Sequence, residues 1–221
     1  MNLSANTMSV LKNFADINEN ILFKPGNTIS TISNQKNVLA EATIDETFEQ
    51  EFGVYKLPDF LRAIELFDKS TLQFNGGQSL HIVDDNSKSK IKYVFADKSV
   101  LMTPSKSITM PDKFVTFTLV KGVFDKLMKV ATQLNLPDIS IEGDGKVIKL
   151  VAFDKKDSST NDYVSEIGTT DKTFKAFFKK ENFKLINGDY DVAISSQKIS
   201  HFINKTTKVQ YWIAVEPDSE F

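Results

Sequence analysis

Two halves of this chain repeat one order of patterns: a helix-like run, short strand-like runs, a second helix-like run, then more strands. Ile21-Leu22-Phe23 recurs as Ile139-Ser140-Ile141 at an offset of 118, and Tyr55 to Phe60 recurs as Phe178 to Phe183 at 123. His81 recurs as His201 at 120, and Ile91 to Ala96 recurs as Val209 to Ala214 at 118. Four matches in order predict an internal duplication and therefore two similar domains. The length of 221 residues fits two ordinary domains, and 41% hydrophobic residues suffice for a core in each.

The expected fold class is α+β, each half placing two helices against antiparallel sheets. Residues 4–17 read as a helix, with Val10, Leu11, Phe14 and Ile17 at helical spacing and Ser4 or Asn6 as cap. Residues 56–67 read as a second, with Pro58 in the first turn. The clearest helix is 119–134, where Phe124, Leu127, Met128, Ala131 and Leu134 form one stripe. A fourth is expected at 178–186. Strand-like runs cover 20–24, 28–32, 38–44, 48–55, 71–75, 79–83, 90–96 and 98–102 in the first half. In the second half they cover 139–142, 146–153, 162–167, 172–177, 189–195, 198–203 and 208–215. Asn75-Gly76-Gly77 and Gly143-Asp144-Gly145 read as hairpin turns. Pro104 and Pro111 favour an extended path, so residues 103–116 read as a connector between domains 1–102 and 117–221.

Charge is distributed unevenly. The chain has 27 basic and 29 acidic residues. Within segments 4–16, 56–68, 118–134 and 175–187 there are ten basic and six acidic residues, so these helix segments carry +4 and the remainder −6. Basic helices on an acidic protein fit a polyanion such as the DNA backbone, held against the helices alone. Arg62 is the only arginine, and lysine is a hydrated point charge suited to loose, sequence-independent contact. The bland alternative is that these lysines are ordinary solvated faces.

Catalytic patterns are missing. There is no cysteine, which excludes disulfides, thiolate chemistry and Cys-ligated zinc, and two histidines are too few for a three-His metal site. No GxSxG or HExxH occurs. Asp84-Asp85-Asn86 lacks the rest of a calcium loop and reads as a solvated turn. His81 and His201 read as strand side chains. No catalytic residue, metal or cofactor is expected, which points to a binding or scaffold role. Met1 to Val10 has no signal-peptide pattern and no run nears 18 apolar residues, so a soluble intracellular protein is expected.

Several segments resemble the sliding clamps of T-even-like bacteriophages, the DNA polymerase processivity factors. They are Leu3 to Asn18, with Val10-Leu11-Lys12-Asn13-Phe14 and Ile17-Asn18, then Ala40-Glu41-Ala42-Thr43-Ile44 and Tyr55 to Leu61, and the ending Tyr211 to Phe221. The resemblance spans the chain, with 84–118 and 154–176 divergent. It implies a DNA clamp fold: two clamp-type domains per chain, three chains in a homotrimeric ring, helices lining the hole and sheets outside. It implies that Lys12, Lys56, Arg62, Lys121, Lys126, Lys129, Lys179, Lys180 and Lys184 face double-stranded DNA in the pore. Asp16 and Asp125 would weaken that contact locally.

Clamps of this kind are opened by an ATP-driven clamp loader and hold partner tails in an apolar pocket between domains. The implied partners are the C-terminal tail of the replicative DNA polymerase and late-transcription factors, in the host cell cytoplasm, with no membrane. Pocket candidates are Leu39, Met102, Ile108, Met110, Pro111, Phe114, Val215 and Pro217, because apolar residues along a Pro-rich connector suit peptide docking and methionine adapts to several tails. The acidic tail ending in Phe221 is alternatively disordered. Two other readings remain open. One is a non-ring single-strand DNA-binding protein, stacking bases on Phe174, Phe177 and Phe178 beside Lys175 and Lys179. The other is a virion structural protein.

Overall fold

The computed structural model describes residues 1–105, 108–157 and 159–221. The expected connector 103–116 is therefore described only in part, since 106 and 107 lie outside the described residues. The chain divides into two compact units, Met1–Lys106 and Ser107–Phe221.

In the first unit, α1 (Ala5–Ile17) leads into β1 (Ile21–Phe23), β2 (Gly26–Ile32), β3 (Val38–Phe48), β4 (Phe52–Val54), α2 (Leu57–Glu65), β5 (Ser70–Phe74), β6 (Ser79–Asp84) and β7 (Lys90–Val94). The Ser4 side chain caps α1 by accepting from Thr7 N at 3.1 Å. Val10, Leu11, Phe14 and Ile17 are all buried, as their spacing requires. Each such apolar side chain contributes about 2 kcal/mol by leaving water. α2 starts with Pro58 in its first turn and buries Leu57, Phe60, Leu61 and Ile64. β1 pairs with β4, β2 with β3, and β5–β6–β7 form an antiparallel sheet. Phe23, Phe48, Phe52 and Phe74 pack ring against ring, with Phe23 and Phe52 stacked at 4.5 Å.

The second unit runs β8 (Val115–Leu119), α3 (Lys121–Gln133), β9 (Asp138–Asp144), β10 (Val147–Phe153), β11 (Tyr163–Thr169), β12 (Thr173–Lys179), β13 (Tyr190–Ile194), β14 (Ile199–Asn204) and β15 (Val209–Ala214). One sheet has the order β11-β10-β9-β12; β8, β13, β14 and β15 pair in succession. No side chain of its own caps α3. Asp189 does so from a distant loop, its Oδ1 accepting from Lys121 N at 2.7 Å, where the positive helix end favours a carboxylate. Gly143 sits in β9 because a Cβ there would lie 2.5 Å from the Phe174 ring.

Three of the four matched segments fall in strands in the same order, β1 and β9, β6 and β14, β7 and β15; the fourth does not, since Tyr55 to Phe60 runs into α2 whereas Phe178 to Phe183 ends β12 and turns. The expected helix at 178–186 is not there. β12 continues to Lys179, and Lys180–Asn182 makes a single 3₁₀ turn. Phe174, Ala176 and Phe178 alternate into the core, and Phe178 pairs with Ile139, so strand periodicity prevails over the helical reading. Among the described residues the second unit thus holds one α-helix where two were expected. Residues 98–102, read as a strand, contain a 3₁₀ turn at Lys98–Val100, because the Asp97 side chain caps Ser99 N at 2.8 Å.

Candidate nucleic-acid interface and partner site

The expected DNA-facing cations fall into three groups. Lys12 of α1 meets Glu65 of α2 at 2.5 Å, Arg62 pairs with Asp59 one turn away, and Lys121 pairs with Asp125. These pairs are exposed and each stabilises the fold little, yet they neutralise three of the cations meant for phosphate. Asp125 therefore acts by holding Lys121. Lys56, Lys126 and Lys129 are exposed and make no ion pair among the described residues. Lys126 Nζ stands 6.0 Å from the Tyr163 ring centroid, a cation–π distance.

Lys179, Lys180 and Lys184 correct the sequence reading, because the helix that was to present them does not form. Lys179 ends β12 and meets the buried Asp138 at 2.6 Å. Lys180 donates to Ala131 O at 3.3 Å, tying the 3₁₀ turn to the end of α3. Lys184 follows the turn, exposed. Without segment 175–187, the remaining three helix segments carry +1 rather than +4. The excess lies on α3, where Lys121, Lys126 and Lys129 stand against Asp125 alone.

The pocket candidates also separate. Leu39 and Val215 are buried at 6% and 5% exposure and belong to the core. Phe114 joins an aromatic cluster, 6.0 Å from Phe174 and 5.5 Å from Phe221. Ile108 and Met110 are half-buried, while Pro111 and Pro217 are exposed. The turn around Ser195 gathers the last two. Asp112 accepts from Ser195 Oγ and from Ser196 N, and Lys198 Nζ donates to Pro217 O. The Ser195 hydroxyl, chiefly, holds the Asp112 carboxyl below its ordinary range. Met102 lies instead in the first unit, on a cleft of about 810 Å³ with Asp16, Glu19, Tyr55 and Val100. That cleft had no sequence signal, since it is made by distant segments.

The tail is ordered. Lys175 and Glu220 exchange backbone hydrogen bonds at 2.9 Å each way, Glu216 N reaches Phe177 O at 2.8 Å, and Lys155 pairs with Asp218. Phe174 and Phe177 are thereby engaged in packing rather than offered for base stacking. Among the described residues no group of His, Asp and Glu could hold a metal ion, and no helix is long and apolar enough to cross a membrane. Asp84 makes a turn, accepting from Asn86 N at 3.0 Å.

Residues 4–103 match the family described as DNA polymerase processivity factor, and residues 117–217 match the gp45 sliding clamp, C terminal. Over 223 residues the chain is 31% identical to the sliding clamp of Vibrio phage KVP40, covering 98% of this chain and 99% of the relative. The chain belongs to the sliding clamp family. The sliding clamp of Escherichia phage RB69 is 28% identical over 228 residues, covering 99% and 98%. The clamp fold extends further. A proliferating cellular nuclear antigen from Entamoeba histolytica superposes with a TM-score of 0.72 at 14% identity, covering 97% of each chain. This clamp is thus a processivity factor of a non-catalytic family, with the clamp fold in both units.

Proposed function

We propose that three copies close into a ring around duplex DNA and keep the replicative polymerase on its template, in the cytoplasm of the host cell. The observation that carries this reading is the match along essentially the whole chain, through both units, to phage sliding clamps. A closed ring holds DNA by topology, so its surface needs only weak, exchangeable contacts with phosphate. The cation set fits that demand. Lys12, Lys56, Arg62, Lys121, Lys126 and Lys129 face the duplex, half of them tempered by acidic neighbours. α3 supplies most of the attraction, and lysine amines slide from phosphate to phosphate without reading bases.

The polymerase docks its C-terminal tail on the apolar residues of the second unit, Ile108, Met110, Pro111 and Pro217. An ATP-driven loader opens the ring, and late-transcription factors use the same docking residues. Light scattering across a dilution series tests the ring: the expected mass is three times 24.9 kDa. The assembly should then be retained on circular DNA and lost on linearisation. A monomer at every concentration overturns the proposal, because one chain of this size cannot encircle a duplex.

A further inference from the structure

The chain contains two Asn-Gly steps, Asn75-Gly76 and Asn187-Gly188. Glycine has no Cβ to obstruct its own amide nitrogen and its backbone turns freely, so that nitrogen can reach the preceding carboxamide. The fold treats the two steps in opposite ways. Asn187-Gly188 is pinned. Asn204, only 4% exposed, donates from Nδ2 to Asn187 O at 3.4 Å, and a Cβ on Gly188 would collide with the Asn204 side chain. Before the step, the hydroxyls of Tyr190 and Tyr211 hold both backbone groups of Ile186. After it, Asp189 accepts from Lys121 N on its carboxylate at 2.7 Å and from Lys205 N on its carbonyl at 2.8 Å.

Asn75-Gly76 is open. It caps the hairpin between β5 and β6, and residues 75–78 are all exposed. Gly76 takes a φ of 66°, and apart from its chain neighbours no described atom lies within 4 Å of the place its Cβ would take. The Asn75 carboxamide is not idle in solvent: Nδ2 donates to His81 Nδ1 at 2.6 Å. Strand alternation places that ring. Leu80 and Ile82 are fully buried, so His81 takes the other face of β6, between Gln73 of β5 and Lys92 of β7.

We infer that Asn75 is a self-modification site, where the chain converts its own asparagine to aspartate and isoaspartate with help from His81. Gly76 N attacks Asn75 Cγ and gives its proton to water. The new bond closes a succinimide ring as the Cγ–Nδ2 bond breaks. Once Cγ is tetrahedral, Nδ2 is an amine, takes a proton from the His81 ring and leaves as ammonia; the ring is reprotonated by water. Water then adds to either succinimide carbonyl and breaks its bond to nitrogen, giving an aspartyl or an isoaspartyl linkage. Water is the sole co-reactant. The product sets a carboxylate beside His81 and Lys92, and the isoaspartyl form adds one carbon to the backbone of the hairpin. Because no partner is needed, the conversion marks chains by age, whatever their state of assembly.

Incubation of the full chain in warm neutral buffer, then proteolysis and isotope-resolved mass spectrometry, reads both steps in one sample. In the folded chain Asn75 should be lost about tenfold faster than Asn187, which must wait for local opening. In urea the two should react at similar rates, because the dipeptide is the same. His81→Gln should slow the loss of Asn75 about tenfold in the folded chain and leave the rate in urea unchanged. A variant that merely loosened the hairpin would react faster, not slower. Equal loss of Asn75 and Asn187 in the folded chain overturns the proposal, and so does a His81→Gln chain that reacts as fast as the unaltered one.

Discussion

Lys179 Nζ stands 2.6 Å from Asp138 Oδ1, and the Asp138 side chain is only 5% exposed. The same carboxylate also accepts from Lys155 N at 3.0 Å. The Asp138 hydrogen bond holds the Lys179 amine above its ordinary range. Lys179 therefore neutralises a buried charge and is engaged in the fold. Lys179→Met should cost about 1–2 kcal/mol in urea unfolding, discounted for the amine's partial exposure. DNA association should stay unchanged. A variant of full stability with weakened DNA association would return Lys179 to the pore.

Burial raises the phenol of Tyr190 to about 12, and that of Tyr211 is raised by burial as well. Tyr190 donates to Ile186 O, and the Tyr211 hydroxyl accepts from Ile186 N at 3.1 Å. Both are neutral in the folded state, whereas the unfolded chain ionises its tyrosines near pH 10. Their contribution is thus complete below about pH 10 and drains away as the pH rises toward 12. Melting temperature measured from pH 8 upward should fall steeply above 10. Tyr190→Phe should start about 1 kcal/mol lower, from the lost hydrogen bond, and decline less steeply. An unchanged slope would show that Tyr190 does not drive base unfolding.

Lys126 and Lys129 are the α3 cations that no carboxylate holds among the described residues, whereas Arg62 is paired with Asp59. Replacing both lysines by alanine should shorten residence on circular DNA. It should also lower the salt slope of association by about 2, one unit per phosphate contact. Arg62→Ala should change both less, because Asp59 already competes with phosphate. Equal effects from the two variants would mean that the pairing with Asp59 is irrelevant in the presence of DNA.

The three α-helices among the described residues were legible in the sequence because each sets apolar residues at helical spacing over nine residues or more; α1 and α2 bury theirs, whereas α3 buries Leu127 and Ala131 and leaves Leu134 exposed. The hairpin at Asn75-Gly76-Gly77 was legible because Gly76 and Gly77 take positive φ, 66° and 138°. The segment at 178–186 was misread because Phe178 and Phe183 fit a helical stripe as well as a strand end, and only pairing with β9 decides. β8 was missed because its Val115 and Thr116 fall in the expected connector and its Leu119 in the expected helix 119–134, which leaves no strand-like run of its own. Charge was the least legible part. A count by segment cannot see that Glu65 reaches Lys12 from another helix, or that Asp138 claims Lys179 from 41 residues away.

Asp112 fastens the end of the connector to the turn after β13, accepting from Ser195 Oγ, from Ser196 N at 3.2 Å and from Ser196 Oγ at 3.1 Å. This fixes Pro111 next to the turn whose Lys198 holds Pro217. Asp112→Ala should leave the rest of the unit folded but free these docking residues. Hydrogen exchange at the Ser196 amide should speed up, and a peptide of the polymerase tail should bind more weakly. Acid should imitate the variant. The carboxyl is held below its ordinary range, so its contribution is present above the unfolded value near 4 and is lost as the pH falls through the lower folded value. Unaltered exchange at Ser196 in Asp112→Ala would show that the turn is held without Asp112. Faster exchange with undiminished peptide binding would place the docking residues elsewhere than Pro111 and Pro217.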